Sequence, residues 1–250
     1  MQNSFYCNKP YINLHESGSL KSKISSQILY GEKFIILNKK RKFLKIKTDY
    51  DNYTGYIKRS NFLKKIKKTH KVCVLKSRIY KFPNNKEKSK SKKFLPFSSK
   101  IEIIKKKNNF IMFENNKWLK AKDVKPINQK NKNILKVFKL FLNCKYKWGG
   151  KTHSGIDCSA LIQIFYNFNN KFFPRDTVDQ IKFKKGLKKV RRFKLGDIIY
   201  WKGHVAICIN SKELIHAYGP KKKVLIMQIN KTIKIIKKTA NLEVKKIFSI

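Results

Sequence analysis

The segment Trp148-Gly149-Gly150-Lys151-Thr152-His153-Ser154-Gly155-Ile156-Asp157-Cys158-Ser159 constrains this chain more than any other stretch. A Gly-rich loop ends on a cysteine, and an apolar-periodic run over residues 160–168 follows at once. That order predicts a helix beginning at Cys158, with Ser154, Asp157 and Ser159 all able to cap it. A thiol at a helix N-terminus meets oriented N–H groups and the positive end of the helix dipole, which favour thiolate over thiol. Two such N–H groups can also form an oxyanion hole. The commoner fate of a free cysteine is a small buried hydrophobe. Gly149, Gly150 and Gly155 weigh against that here, because they permit close backbone approach to a ligand.

A cysteine nucleophile needs a base, and the chain has five histidines. His15 lies in a strand-rich N-terminal region, His70 at a junction, and His153 too near Cys158 in sequence to fold back easily. His204 and His216 remain, on two predicted strands, residues 197–209 and 213–218, joined by the turn Asn210-Ser211-Lys212. In that hairpin residues 206 and 216 pair, which makes His204 the diagonal, same-face neighbour of His216. One imidazole can then deprotonate Cys158 while the other orients it. Zinc held by Cys158, His204 and His216 is the chemical rival, but the short ligand spacings of structural sites are missing. No metal and no cofactor are expected.

The formal charge is +47, from 61 Lys and Arg against 14 Asp and Glu, and it invites a nucleic-acid reading. Arg occurs only at Arg41, Arg59, Arg78, Arg175, Arg191 and Arg192, and the lysines run along the whole chain. A base-reading surface uses more Arg. The joint richness in Lys, Asn, Ile, Phe and Tyr matches the codons of an AT-rich genome, so a solvated lysine surface without a specific nucleic-acid partner is expected. No run of about eighteen apolar residues marks a membrane span. The opening MQNSFYCNKP lacks the basic start and apolar stretch of a secretory signal. The five cysteines are scattered and odd in number, which suits a reducing compartment. A cytoplasmic, monomeric protein is the expectation.

Organisation follows from period. Residues 28–37 read as a turn followed by a strand and 43–47 and 53–57 as short strands, and closely spaced strands suggest a small barrel over 1–66. Residues 72–75, 101–104, 110–113 and 117–120 repeat the theme, and a second barrel over 67–128 is expected, with a Lys/Ser-rich mobile loop at 84–93. A linker at 129–132 leads to a helical pattern at 134–142, the Gly-rich loop, the Cys158 helix and then strands, making residues 129–250 an α+β domain. Terminal strands are expected within 224–229 and 242–248.

These residues carry a resemblance. Tyr146-Lys147-Trp148-Gly149-Gly150, Gly155-Ile156-Asp157-Cys158-Ser159, Phe173-Pro174-Arg175-Asp176, Gln180, Leu195-Gly196-Asp197-Ile198, Gly203-His204-Val205-Ala206-Ile207 and Ile215-His216-Ala217 resemble the NlpC/p60 cysteine peptidases, which cut peptidoglycan stem peptides. Ala160 and Ala206 stand where glycines are usual, both small changes. The resemblance implies a papain-like α+β catalytic domain with Cys158 as nucleophile, His204 as general base and His216 as the orienting third residue. Asp157, Ser159, Arg175 and Asp176 fall where the family places substrate-contacting or site-shaping residues. Ser26-Gln27-Ile28-Leu29-Tyr30-Gly31-Glu32 and Asp51-Asn52-Tyr53-Thr54-Gly55-Tyr56 resemble the first bacterial SH3-like domain of a signal-less, dipeptidyl-peptidase-like subgroup of γ-D-glutamyl-L-diamino acid endopeptidases. This subgroup splits the γ-D-Glu–diaminopimelate bond of murein peptides bearing a free L-Ala amine. In it a Tyr of the SH3-like domain helps to select that amine. Tyr53 and Tyr56 are candidates for this role, with packing in the barrel as the alternative.

The whole reading is a papain-like NlpC/p60 domain preceded by two small all-β SH3-like barrels. It is expected to hydrolyse murein-derived peptides during wall recycling. A protein whose SH3-like modules bind wall peptides beside an inert peptidase fold is the alternative.

Overall fold

The computed structural model describes residues 4–250. The chain divides into two compact units, Met1–Lys130 with Phe168–Asn170, and Asn131–Asn167 with Lys171–Ile250.

The N-terminal unit is built from strands. β1 (Ser4–Tyr6), β2 (Tyr11–His15), β3 (Ile24–Leu29), β4 (Lys33–Lys39), β5 (Phe43–Thr48) and β6 (Thr54–Lys58) pair antiparallel in the order β1-β4-β5-β6-β2-β3. Alternation drives this sheet: in β5, Leu44, Ile46 and Thr48 are buried while Phe43, Lys45 and Lys47 are only half-buried. Cys7, Leu14, Ile28, Phe34, Leu44, Ile46 and Ile57 share the buried face. The expected first barrel is not formed, because the sheet ends on β1 and β3 and stays open. The described part of β1 spans three residues, and the edge of Tyr6 turned away from β4 is taken by Leu63, with the Tyr6 N–H donating to the Leu63 carbonyl at 2.8 Å.

The second expected barrel is overturned in the same way. β7 (His70–Val72), β8 (Lys76–Tyr80), β9 (Lys90–Pro96), β10 (Lys100–Ile101), β11 (Lys105–Lys107), β12 (Phe110–Glu114), β13 (Lys117–Lys120) and β14 (Val124–Pro126) divide between two open sheets, β10-β7-β14 and β11-β12-β13-β8-β9. Strands of two and three residues in the smaller sheet are too short to carry one ladder around a closed wall. The loop expected over 84–93 is half strand, since β9 begins at Lys90. Buried Ser89 pins its start, its hydroxyl donating to the Phe82 carbonyl at 2.7 Å and accepting the Phe82 N–H at 3.1 Å.

The two β segments share interior. Tyr30 sits in a cluster with Val72, Ile79, Leu95, Ile101 and Ile111, and the Lys100 N–H donates to the Tyr30 carbonyl at 2.9 Å. That approach demands glycine next door: Gly31 has φ +76°, and a Cβ there would lie 1.9 Å from the Lys100 carbonyl oxygen.

The C-terminal unit is α+β, as its pattern predicts. It contains α1 (Ile134–Lys139), a two-residue hairpin of β15 (Lys151–Thr152) and β16 (Gly155–Ile156), α2 (Cys158–Phe168) and α3 (Thr177–Phe183). There follow β17 (Asp197–Trp201), β18 (His204–Cys208), β19 (Glu213–Tyr218), β20 (Lys223–Gln228), α4 (Ile229–Ala240) and β21 (Lys246–Ser249). The strands form one antiparallel sheet in the order β20-β19-β18-β17-β21. Every residue of α2 is buried, including the polar stripe of Ser159, Gln163 and Asn167 at i, i+4 and i+8, of which Gln163 donates to the Phe173 carbonyl at 3.1 Å. On one face of the sheet Ile199, Trp201, Ala206, Cys208 and Leu214 pack with Ile229 and Ile236 of α4.

Three elements depart from the sequence reading. The strand expected over 197–209 is two strands, turned at Gly203 with φ +76°. α3 and α4 replace stretches without a predicted helix. In α4 the signal was present, with Ile229, Thr232 and Ile236 buried at helical spacing among lysines. Among the described residues no helix is long and apolar enough to cross a membrane.

Candidate active site

Cys158 is the first residue of α2 and Asp157 is its N-cap. The Asp157 carbonyl accepts the Leu161 N–H at 3.1 Å, the first bond of the helix ladder, and its Oδ1 accepts the Ala160 N–H at 2.8 Å. Asp157 Oδ2 also accepts the Gly149 N–H at 2.9 Å, tying the Gly-rich loop to the helix start. Arg175 closes this knot from the other side. Its Nη2 donates to Asp157 Oδ2 at 2.6 Å, and its Nη1 donates to Asp157 Oδ1 at 3.0 Å and to Ser159 Oγ at 2.8 Å. The Ser159 hydroxyl donates in turn to Asp157 Oδ1 at 3.0 Å. Asp157, Ser159 and Arg175 are all buried. A fork-on-fork pair with every lone pair engaged is the arrangement in which two buried charges are tolerated.

Gln180 of α3 extends the knot, donating to the Ser159 and Pro174 carbonyls, both at 2.9 Å, and accepting the Tyr200 hydroxyl at 3.4 Å. Asp176 precedes α3, and its carbonyl accepts the Asp179 and Gln180 N–H groups.

The β18–β19 register pairs Ile207 with Ile215 and Cys208 with Leu214, and its continuation sets Ala206 opposite His216. His204 and His216 are therefore diagonal neighbours on one face, with ring centroids 5.1 Å apart and a hydrogen bond of 2.9 Å between His204 Nε2 and His216 Nδ1. His216 is fully buried, stacked on Tyr218 at 4.7 Å and 10°, with its Nε2 3.3 Å from Met227 Sδ. Cys158 meets the start of β18: the N–H groups of Val205, adjacent to His204 in sequence, and of Ser159 are directed at its sulfur.

Burial governs the charge state of these groups. It pushes the Cys158 thiol up to about 12, aided by the Asp157 carboxylate and opposed by the Val205 and Ser159 N–H groups and by Arg175. It pushes His204 down to about 4, and His216 down to about 3 with a smaller contribution from His204. The thiolate expected from the helix terminus alone is thus outweighed by desolvation, and the resting pair is a neutral thiol beside a neutral imidazole. A thiolate and an imidazolium formed together carry opposite charges, each of which favours the other.

Residues 143–241 match the model of the NlpC/P60 family, and residues 10–64 match that of the bacterial SH3 domain. The chain has an NlpC/P60 cysteine-peptidase fold with an N-terminal SH3-like domain. It is a cysteine-type peptidase. The γ-D-glutamyl-L-lysine dipeptidyl-peptidase of Bacillus subtilis is 25% identical over 233 residues, covering 84% of this chain and 77% of that protein. The protein of the same name from Bacillus cereus is 24% identical over 243 residues, covering 84% and 72%. The crystal structure of an NlpC/P60 family protein from Bacillus cereus superposes with a TM-score of 0.77 at 18% identity, covering 91% of this chain and 94% of that one.

The NlpC/P60 domain brings together Cys158, His204, His216, Asp157, Ser159 and Arg175. Tyr53 and Tyr56 belong to the SH3-like unit. Tyr53 packs half-buried against the cluster around Phe34, and its N–H donates to Thr48 Oγ1 at 2.9 Å. Tyr56 lies on β6, with Lys40 Nζ 5.6 Å from its ring centroid. Sequence reasoning missed three groups in the NlpC/P60 domain. Tyr218 was legible as the same-face neighbour two residues beyond His216. The Val205 N–H and Met227 carried no signal, because neither is near a partner in sequence.

Proposed function

We propose that Cys158, His204 and His216 hydrolyse the γ-D-glutamyl–diamino acid bond of murein-derived peptides, with diaminopimelate as the diamino acid and a free L-Ala at the N-terminus. The observation that carries this reading is the Cys158 thiol at the start of a buried helix with the N–H of Val205 directed at its sulfur, Val205 being next in sequence to His204 of a hydrogen-bonded imidazole pair. The choice of bond rests on the similarity along most of the chain to the γ-D-glutamyl-L-lysine dipeptidyl-peptidases.

The Cys158 proton passes to His204 as the sulfur attacks the γ-carbonyl carbon of D-Glu. The carbonyl oxygen gains the charge and is held by the Cys158 N–H, the first of α2, which has no partner inside the helix. His204 returns the proton to the amine of the diamino acid, which leaves. The thioester then takes a water whose proton goes to His204. Collapse of this second tetrahedral species releases the D-Glu γ-carboxylate and restores the Cys158 thiol. His216 holds the plane of His204 throughout. Asp157 and Arg175 act by fixing Gly149, Ser159 and the helix start in place. A cytosolic site of action is part of the proposal, since all five cysteines are free.

Mass spectrometry of digests of L-Ala-γ-D-Glu-diaminopimelate, its L-Lys analogue and the N-acetylmuramyl-linked form tests bond and amine preference together. The expected products are L-Ala-γ-D-Glu and the free diamino acid, from the free peptide only. Cleavage that persists in Cys158→Ala would falsify the mechanism, and an intact free peptide would refute the substrate.

A further inference from the structure

We infer that Met227 is a positioning residue: its thioether accepts the His216 Nε2 proton and so selects the one tautomer of the imidazole pair that leaves His204 Nδ1 bare to receive the Cys158 proton. This inference rests on the proposed role of His204 as base.

The geometry is set by the β19–β20 ladder. Leu214 pairs with Met227 and His216 with Leu225, which makes Met227 the diagonal, same-face neighbour of His216. Its Sδ lies 3.3 Å from His216 Nε2. The Tyr218 ring, stacked on the His216 ring at 10°, holds the plane that aims Nε2 at the sulfur.

A thioether sulfur carries no hydrogen and can only accept. The proton in this contact is therefore on His216 Nε2. A neutral imidazole has one N–H, and burial keeps both rings neutral at pH 7. His216 Nδ1 is then a lone pair. It faces His204 Nε2 at 2.9 Å, so the proton in that bond belongs to His204 Nε2. The remaining nitrogen of His204, Nδ1, carries a lone pair, which is what a general base needs. The opposite tautomer sets the His216 Nε2 lone pair against the sulfur lone pairs. It also makes His216 Nδ1 the donor to His204 Nε2 and leaves His204 protonated at Nδ1, unable to take a proton from the thiol. The two forms differ only in where two protons sit, so even a weak acceptor decides between them. One modest hydrogen bond, about 1 kcal/mol, corresponds to about a fivefold ratio.

The test uses the full chain with 15N-labelled histidine. In the wild type the ring nitrogens of His204 and His216 are expected to show protonated Nε2 and bare Nδ1. Met227→Leu, close in volume, shifts His216 from mostly one tautomer to about equal amounts of both and lowers kcat about twofold while KM holds. Met227→Gln, which restores an oxygen acceptor, returns kcat to the wild-type value and His216 to the Nε2-protonated spectrum. A proton on His216 Nδ1 in the wild type overturns the inference, and so does a Met227→Leu enzyme with unchanged spectrum and kcat. The spectra need no substrate. A wild-type protein that cleaves no murein peptide thus refutes the proposed function, while the tautomer is still decided by NMR.

Discussion

Removing the guanidinium of Arg175 tests the account of the buried knot most directly. Arg175→Met keeps much of the side-chain volume but strips three hydrogen bonds, two to Asp157 and one to Ser159. Asp157 is 5% exposed and keeps the N–H groups of Gly149 and Ala160, yet its charge loses its only close counter-ion among the described residues. Stranding one member of a buried pair costs about 3–5 kcal/mol. Domains have roughly 5–15 kcal/mol in all, so the loss is a large share of the total. At roughly 2–4 °C per kcal/mol, Tm is expected to fall by about 10 °C. Arg175→Lys keeps the charge but not the fork, and is expected to recover about half of the loss. Urea denaturation of the three proteins, followed by near-UV circular dichroism, reads the order wild type, Lys, Met. If Met equals wild type within about 1 kcal/mol, the knot does not hold the loop and the reasoning fails.

Three further outcomes follow from the same geometry. His204 and His216 have folded values lowered to about 4 and about 3 from 6.5, so above pH 6.5 they add no pH dependence. Between 6.5 and those values only the unfolded chain takes up their protons. Stability therefore falls as pH drops, by about 2 kcal/mol per imidazole between pH 6.5 and 5, and equal urea midpoints at pH 7.5 and 5 would contradict this. Gly31→Ala drives a Cβ to 1.9 Å from the Lys100 carbonyl oxygen at a φ of +76°, and calorimetry is expected to show a loss of at least about 2 kcal/mol. A small thiol-directed probe is expected to label Cys158 ahead of Cys7 and Cys208, since these two are fully buried while Cys158 keeps 6% exposure and two N–H groups on its sulfur. Equal labelling rates would favour the inert, peptide-binding alternative.

The placement of the candidate site residues was more legible in the sequence than the closure of the sheets. Local order sufficed for Cys158 at the head of a helix, because loop, cap and apolar run are contiguous. It sufficed also for His204 and His216 on one face, because the turn Asn210-Ser211-Lys212 determines a hairpin register. The split at Gly203 was missed because an apolar stretch on either side hid a two-residue turn. Barrel closure was misread because strand spacing says nothing of which edges meet. Closure would need β1 to meet β3, and Leu63 occupies the β1 edge at Tyr6 instead, a fact of distant pairing.

What the sequence by itself determined is the local elements that carry Cys158, His204 and His216. What the tertiary structure decided is their protonation and their partners. The helix terminus argued for a thiolate, but enclosure of Cys158 by the sheet and the Asp157 knot makes desolvation the larger effect. The charge on Asp157 finds Arg175 eighteen residues away. The proton position in the imidazole pair is governed by a methionine from the next strand, which only the β19–β20 register brings into contact. Burial and cross-strand contact are properties of the assembled sheet, and no local stretch of the chain contains them.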